Sequence, residues 1–157
     1  MTLKREKSEW VSEARRTIQL MKRIMIHLRG QMDELLRPHG VTTAQLIMLR
    51  AIEASPGSSG AQLARECYVT PQSAQALIKH LESGGFIVRA KDSVNDRIIT
   101  ARITPLGERL LGVAEKAATE VQEKLWTGIS NSEVEKLTEL LKKCLRNIGD
   151  EAPQNGR

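Results

Sequence analysis

The strongest constraint on the fold lies in the middle of the chain, where residues 61–107 combine two short helical patterns with two strand patterns. The helices are predicted over roughly 60–67 and 71–83, with only a short link between them. A run of β-branched and aromatic residues then begins at Phe86, and a second such run ends at Ile103. This order predicts a helix-turn-helix followed by a β-hairpin, with the second helix lying across the first.

Five helix starts are marked by side chains that can cap the first turn. Thr42, Ser59 and Ser130 each have a Gln or Glu three residues later, the capping-box form in which the two side chains satisfy each other's backbone N–H groups. Thr70 and Thr104 are each followed by a proline, which needs no N–H at the first helical position. After the first long helix, these signals predict helices over roughly 43–54, 60–67, 71–83, 105–127 and 131–147.

The first helix has apolar residues at alternating spacings of three and four over more than three heptads, and Pro38 and Gly40 end it. We interpret this stripe as partly intermolecular, because it is longer than one small domain needs. The alternative is an ordinary amphipathic face on the domain's own core. The last two predicted helices carry similar stripes. The first stripe consists of Val11, Ala14, Ile18, Met21, Met25, Leu28, Met32 and Leu35.

Composition favours a polyanionic partner in a reducing compartment. The formal net charge is +5, and Lys and Arg exceed Asp and Glu in 1–37 and 60–104 but not in 105–157. Two separated cysteines and the absence of a secretory signal or a long apolar run predict a cytoplasmic protein without a membrane span. The few aromatic residues are not spaced as a platform for unstacked bases, so duplex DNA is the expected nucleic acid.

The second helix of the motif, 71–83, is predicted to present small polar groups to a major groove. Gln can pair with adenine, Ser with either base edge, and an Ala methyl with the thymine methyl, while Thr70 and the helix N-terminus suit a phosphate. Taken alone, each of these residues would also fit an ordinary exposed polar position. The expected inward residues are Ala74, Leu77, Ile78 and Leu81, and the expected outward ones are Gln72, Ser73, Gln75, Ala76 and Lys79.

The polar link of the hairpin is predicted to form a wing that reaches the minor groove. Arg97 and Lys91 carry the positive charge that a narrow minor groove attracts. Asp92 or Asp96 is expected to orient Arg97 through an ion pair, because an unpaired acid there would repel phosphate. The alternative is a surface salt bridge of little consequence. Arg89 is a further candidate for a phosphate contact.

A ligand pocket is expected between the first helix, the second helix and the start of the fifth. Methionines suit an adaptable apolar wall, and Arg29 or His27 is expected to hold an anion. The same stripe also suits a dimer core, and the sequence leaves both interpretations open. The expected lining residues are Met21, Met25, His27, Leu28, Arg29, Met48 and Ile52.

No arrangement of side chains predicts catalysis, a metal site or a cofactor. The three histidines are too scattered for a zinc site, and no nucleophile–base arrangement or glycine-rich phosphate loop is recognisable. Cys67 lies on the apolar face of its helix, where a structural role is favoured over a redox role because no resolving cysteine is close in sequence. We therefore expect neither an enzyme nor a cofactor-dependent protein.

The order of these elements resembles the MarR family of bacterial transcription regulators over about 42–111. The resemblance implies a homodimer joined by its N- and C-terminal helices, a palindromic operator, and a small effector, often an aromatic acid, that releases the DNA. The residues that carry it are Thr42-Thr43-Ala44-Gln45-Leu46, Leu63-Ala64, Thr70-Pro71, Leu81-Glu82, Gly85-Phe86-Ile87, Arg89, Ile103-Thr104 and Gly107.

Two positions depart from the family pattern. The family's wing usually reads Asp-x-Arg, and Asn95 stands where that Asp is expected, with Asp96 one place later and Arg97 in register. Its recognition helices commonly carry an Arg near the position of Ala76. The resemblance thus implies a shifted or weaker ion pair at the wing, and an operator that is recognised partly through thymine methyls or shape.

These observations predict a mainly α-helical protein with a small β-hairpin wing, a winged helix-turn-helix flanked by long dimerisation helices. Each subunit is expected to be one integrated domain, with N-terminal dimerisation helix 1–40, DNA-binding region 41–105, C-terminal dimerisation helices 106–148 and flexible tail 149–157. The predicted function is a homodimeric, sequence-specific transcription regulator, a repressor that responds to a small aromatic or anionic effector. The alternative is a winged-helix module that holds a protein partner without operator specificity.

Overall fold

The computed structural model describes residues 2–91 and 99–149 of the chain, with side chains given for 9–89 and 100–149. Two compact units are present, Met1–Val121 and Gln122–Arg157. The predicted boundaries between dimerisation and DNA-binding regions remain a prediction. The described elements are α1 (Thr2–Leu36), a 3₁₀ helix (Arg37–His39), α2 (Thr43–Ala54), α3 (Gly60–Glu66), α4 (Pro71–Ser83), β1 (Ile87–Lys91), β2 (Ile99–Ile103), α5 (Pro105–Leu125) and α6 (Asn131–Asn147).

The predicted caps form at the helix starts. At Thr42, Ser59 and Ser130 the hydroxyl accepts from the backbone N–H three residues on, and the side chain of that residue accepts from the cap's own N–H. At Thr70 the hydroxyl oxygen accepts from the Ser73 N–H at 3.1 Å. Helices α2 to α6 therefore begin at the predicted residues, while α3 and α5 end slightly earlier than predicted.

The core of the first unit lies among α2, α3, α4 and the hairpin, with α1 and α5 contributing at its edges. In α4 the inward Ala74, Ile78 and Leu81 are buried, as predicted from their helical spacing. Burying a Leu or Ile side chain contributes about 1.5–3 kcal/mol, so these residues fix the orientation of α4. The buried cluster is Leu36, Val41, Leu46, Met48, Leu49, Ile52, Leu63, Ala64, Ala74, Ile78, Leu81, Ile87, Ala101, Leu110 and Ala114.

The hairpin predicted from the β-rich runs is present. Its strands are antiparallel, with Ile87 opposite Ile103 and Arg89 opposite Ala101. Ile87 and Ala101 are buried whereas Val88 is exposed, because successive side chains of a strand point to opposite faces. One face of the hairpin therefore lies on the core.

Helices α1 and α2 are joined by a polar contact at Asp33. The backbone N–H and the hydroxyl of Thr43 donate to Asp33 Oδ1 at 2.6 and 2.7 Å. Partial burial alone would raise the pKa of Asp33, but these two hydrogen bonds and the Arg29 guanidinium outweigh it and lower the pKa. The carboxylate thus stays ionised at neutral pH and holds the N-terminus of α2 against α1.

The terminal helices expose large apolar side chains. In the first unit, the C-terminal end of α1 joins the core through Leu36, whereas more N-terminal residues of the helix are exposed. In the second unit, helix α6 contains no buried residue. The exposed apolar residues are Trp10, Ile18, Leu20, Ile24, Met25 and Ile26 in α1, and Leu137, Leu140, Leu141 and Leu145 in α6 with Ile148 at its C-cap.

Candidate nucleic-acid interface

The outward face of α4 consists of small polar and basic groups. Thr70 caps the helix, and its hydroxyl also donates to Ser73 Oγ at 2.8 Å, which fixes both hydroxyls at the N-terminal turn. Pro71 occupies the first helical position, so the free N–H groups of this turn begin at Gln72. The structure exposes all five residues predicted to face outward, Gln72, Ser73, Gln75, Ala76 and Lys79.

The Gln75 side chain lies close to the start of α3. A Cβ built on Gly60 would lie 2.6 Å from Gln75 Nε2, so only a glycine leaves room for the amide in this position. Gln75 also borders a small cavity of about 100 Å³ together with Ser58 and Arg89. The amide therefore lies at one edge of the outward face, which the sequence did not predict because the contact depends on how α3 and α4 cross.

Arg89 is directed toward the inner side of the hairpin, next to α4. Its Nε lies 2.9 Å from Glu82 Oε2, an ion pair without hydrogen-bond alignment. Arg89 shares a strand face with the buried Ile87, two residues earlier, and this alternation is the sequence signal from which its inward direction could have been predicted. The structure thus places Arg89 as a link between the hairpin and α4, and its predicted contact with a phosphate stays a prediction.

The remaining predicted wing residues lie outside the described part of the chain. Arg97 and its candidate partners Asp92, Asn95 and Asp96 belong to this group, so their roles stay predictions. Lys91 is described only as the last backbone position of β1, where it pairs with Ile99.

An apolar groove of about 560 Å³ lies between α1, α2 and the helix-turn-helix. Two cationic side chains, Lys22 and Arg29, border it from α1, and Arg29 Nε is 3.9 Å from Asp33 Oδ2. The groove thus combines an apolar wall with positive charge at its rim, a combination that suits an aromatic anion. Its lining residues are Lys22, Met25, Ile26, Leu28, Arg29, Met32, Thr43, Ala44, Ile47, Cys67, Val69 and Leu77.

The structure brings together only some of the residues predicted for this pocket. Met25, Leu28 and Arg29 line the groove. Met48 and Ile52 are buried in the core instead, because α2 turns Ala44 and Ile47 toward the groove and the opposite face inward. Met21 and His27 do not line it, and the start of α5 contributes no residue. Lys22 was missed, although it lies two helical turns before Arg29 on the same face of α1.

Cys67 is half-buried at the end of α3 and lines the same groove. Burial raises the pKa of its thiol, and the neighbouring Glu66 carboxylate raises it further. A raised pKa reduces the thiolate fraction and with it the reactivity of the sulfur. This supports the structural role that the sequence favoured. Across residues 2–91 and 99–149, no cluster of metal-binding side chains and no helix capable of crossing a membrane is found.

Comparison with known proteins yields a consistent result. A family model described as MarR family matches residues 39–98. The HTH-type transcriptional repressor Rv2887 of Mycobacterium tuberculosis is 34% identical over 96 residues, which cover 61% of this chain and 69% of that protein. The residues matched by the family model therefore include the helix-turn-helix and β1.

Solved structures show the same architecture over most of the chain. The crystal structure of the MarR family transcription regulator SP03579 superposes with a TM-score of 0.78 at 18% identity, covering 92% of this chain and 98% of that one. The structure of Mycobacterium tuberculosis Rv2887 in complex with salicylic acid superposes with a TM-score of 0.63 at 28% identity, covering 80% and 93%. The mainly helical fold with a two-stranded hairpin is thus shared.

Proposed function

Because the chain belongs to the MarR family of transcription regulators, we propose that it represses transcription by binding duplex DNA as a homodimer. Two copies would present their α4 helices about one helical turn apart on a palindromic operator. The exposed apolar residues of α1 and, separately, those of α6 support a dimer, because large apolar side chains exposed along a helix favour an interface. We expect this repression to take place in the cytoplasm, because a bacterial genome lies there.

One observation carries the DNA-binding proposal, namely the chemistry of the outward face of α4. Its N-terminal turns offer amide, hydroxyl, methyl and ammonium groups, all of which pair with base edges or phosphates. The acidic residue of the helix, Glu82, is paired with Arg89 near the C-terminal end. A polyanion can therefore approach this face without meeting an unpaired carboxylate from α4.

Selection from random duplex DNA, followed by a salt titration of the best binder, tests this function with the wild-type protein. We expect an inverted repeat to be enriched, and the affinity to fall steeply between about 50 and 200 mM salt as counterions are released. The absence of an enriched sequence, together with a binding surface mapped to the terminal helices, would support the protein-interaction module instead.

We further propose that the groove bordered by Lys22 and Arg29 binds the effector, a small aromatic anion. An apolar wall can take up an aromatic ring, and the two cations can pair with a carboxylate at the rim. The complex of Rv2887 with salicylic acid supports this ligand class by family relationship. Cys67, Val69 and Leu77 come from the helix-turn-helix, so an occupied groove would act directly on the elements that contact DNA.

Replacing Arg29 by alanine is expected to raise the salicylate concentration needed for half-release of the selected duplex by about tenfold. The reason is the loss of one charge-assisted hydrogen bond, which is worth about 1.5 kcal/mol at a partly exposed site. Release is measured by fluorescence anisotropy. Arg16→Ala is the matched control, since Arg16 also lies in α1 in an exposed pair with an acid, Glu13, outside the groove. Equal effects of the two substitutions would exclude Arg29 from the effector site.

A further inference from the structure

Tyr68, in the turn between α3 and α4, has an uncommon backbone conformation. Its φ of 53° lies in the left-handed region, which the Cβ of an L-residue disfavours. The Val69 N–H donates to the Ala64 carbonyl at 3.0 Å and the Tyr68 N–H to the Arg65 carbonyl at 3.1 Å. These bonds define a Schellman motif at the end of α3, in which Tyr68 occupies the position that favours glycine.

The same chain uses glycine wherever else this conformation occurs in its described part. Gly85 closes α4 with the same pair of backbone hydrogen bonds, at a φ of 73°. The other described residues with positive φ are also glycines: Gly40, Gly57, Gly128 and Gly149. Tyr68 is thus the exception among residues 2–91 and 99–149. Its left-handed backbone conformation lowers the stability of the folded protein, and a glycine at this position would remove that cost.

Contacts with the residues that the structure describes do not compensate for this cost. The Tyr68 side chain is 75% exposed, more than any other aromatic residue with a described side chain. Its hydroxyl has no hydrogen-bond partner in the part of the chain that the structure describes. Its neighbours Cys67 and Val69, by contrast, pack against the core. The described residues thus give a tyrosine at this position no stabilising contact, which favours a partner outside the subunit.

The position of Tyr68 identifies the external surface that it meets. It lies two residues before Thr70, the cap of α4, and so at the end of the helix that bears Gln72 and Ser73. A protein that inserts the N-terminal turns of a helix into a major groove brings the preceding turn next to the DNA backbone. Tyrosine hydroxyls are among the side-chain groups that donate to phosphate oxygens there.

We propose that Tyr68 is a DNA-backbone contact, whose hydroxyl donates a hydrogen bond to a phosphate oxygen beside the recognition helix. The left-handed backbone fixes the direction of its Cα–Cβ bond before DNA binds, so less backbone freedom is lost in the complex. This proposal rests on the proposed function. It adds a contact that carries no charge and reads no base, so its contribution is independent of operator sequence.

Tyr68→Phe and Tyr68→Gly together test the proposal, with a labelled random-sequence duplex of about 30 base pairs as the probe. Tyr68→Phe keeps the ring and the strained backbone but removes the hydroxyl, so we expect the Kd to rise about tenfold at unchanged Tm. The slope of log Kd against log salt should not change, because the lost group is neutral. Tyr68→Gly should weaken binding at least as much while raising the Tm by about 2–4 °C.

The outcomes separate this proposal from the proposed function. Wild-type affinity in both variants, with steep salt dependence retained, overturns the Tyr68 contact and leaves the DNA-binding function intact. A lower Tm in Tyr68→Gly also overturns it, because the ring would then stabilise the folded subunit. Wild-type protein that fails to bind any duplex in a salt-dependent manner contradicts the function itself.

Discussion

Ser73→Glu is expected to lower the affinity for the selected duplex by at least about a hundredfold without destabilising the protein. Ser73 is exposed on the first turn of α4, three residues after Thr70, which is the N-cap of the helix. A glutamate there completes a capping box and places a negative charge at a helix N-terminus, both of which favour the folded state. In the proposed complex the same charge would face the phosphates in each subunit of the dimer, where like-charge contact costs several kcal/mol.

Two controls make this result specific to the outward face of α4. Ser73→Ala removes the hydroxyl without adding charge, and we expect a loss of only about three- to tenfold. Gln19→Glu makes the same change in net charge at an exposed position of α1 and should leave binding near wild type. Anisotropy titrations give the affinities, and thermal unfolding followed by circular dichroism gives the Tm. Equal losses for Ser73→Glu and Gln19→Glu would mean that net charge alone controls binding.

Gly107→Ala is expected to destabilise the protein by about 2–3 kcal/mol, because the first turn of α5 touches the base of the hairpin. A Cβ at this position would overlap the Phe86 carbonyl oxygen and lie 2.9 Å from Ile103 Cγ2. The carbonyl cannot move freely, since it accepts the Thr104 N–H at 3.0 Å. For a chain of this length, the Tm should fall by about 5–10 °C at fixed protein concentration.

Gly112→Ala in the same helix provides the matched control with the opposite sign. No heavy atom beyond the local helix lies within 4 Å of a Cβ at Gly112, which is exposed in the middle of α5. Alanine is favoured over glycine in a helix by about 0.8–1 kcal/mol, so the Tm should rise by about 2–4 °C. If Gly107→Ala were as stable as Gly112→Ala, the close approach of α5 to Phe86 would carry no energetic weight.

Features set by local chemistry were predictable from the sequence. The hydroxyl caps at Thr42, Ser59 and Ser130 act within one turn, and they placed the helix starts correctly without any knowledge of tertiary structure. The outward face of α4 was predictable for the same reason, because helical periodicity separates Gln72 from its buried neighbour Ala74.

Features that depend on how the helices and strands pack across one another were not predictable from the sequence. Met48 and Ile47 are adjacent in an apolar run, and only the packing of α2 decides that one enters the core and the other the groove. The amide of Gln75 lies against α3 because Gly60 has no Cβ that would occupy that space. Tyr68 was overlooked because a tyrosine gives no sequence signal for a left-handed turn, which is usually recognised by its glycine.

The turn between α3 and α4 has one side that faces the groove and one that faces outward, where we propose the DNA contact. Cys67 and Val69 line the groove, and Tyr68 between them points outward. If a compound in the groove weakens DNA binding through this segment, thermodynamic linkage requires that DNA weaken the binding of the compound by the same factor. The dose at which an effector acts would then depend on how strongly each promoter holds the repressor. A single protein would thereby release its weakest operators first and its strongest last.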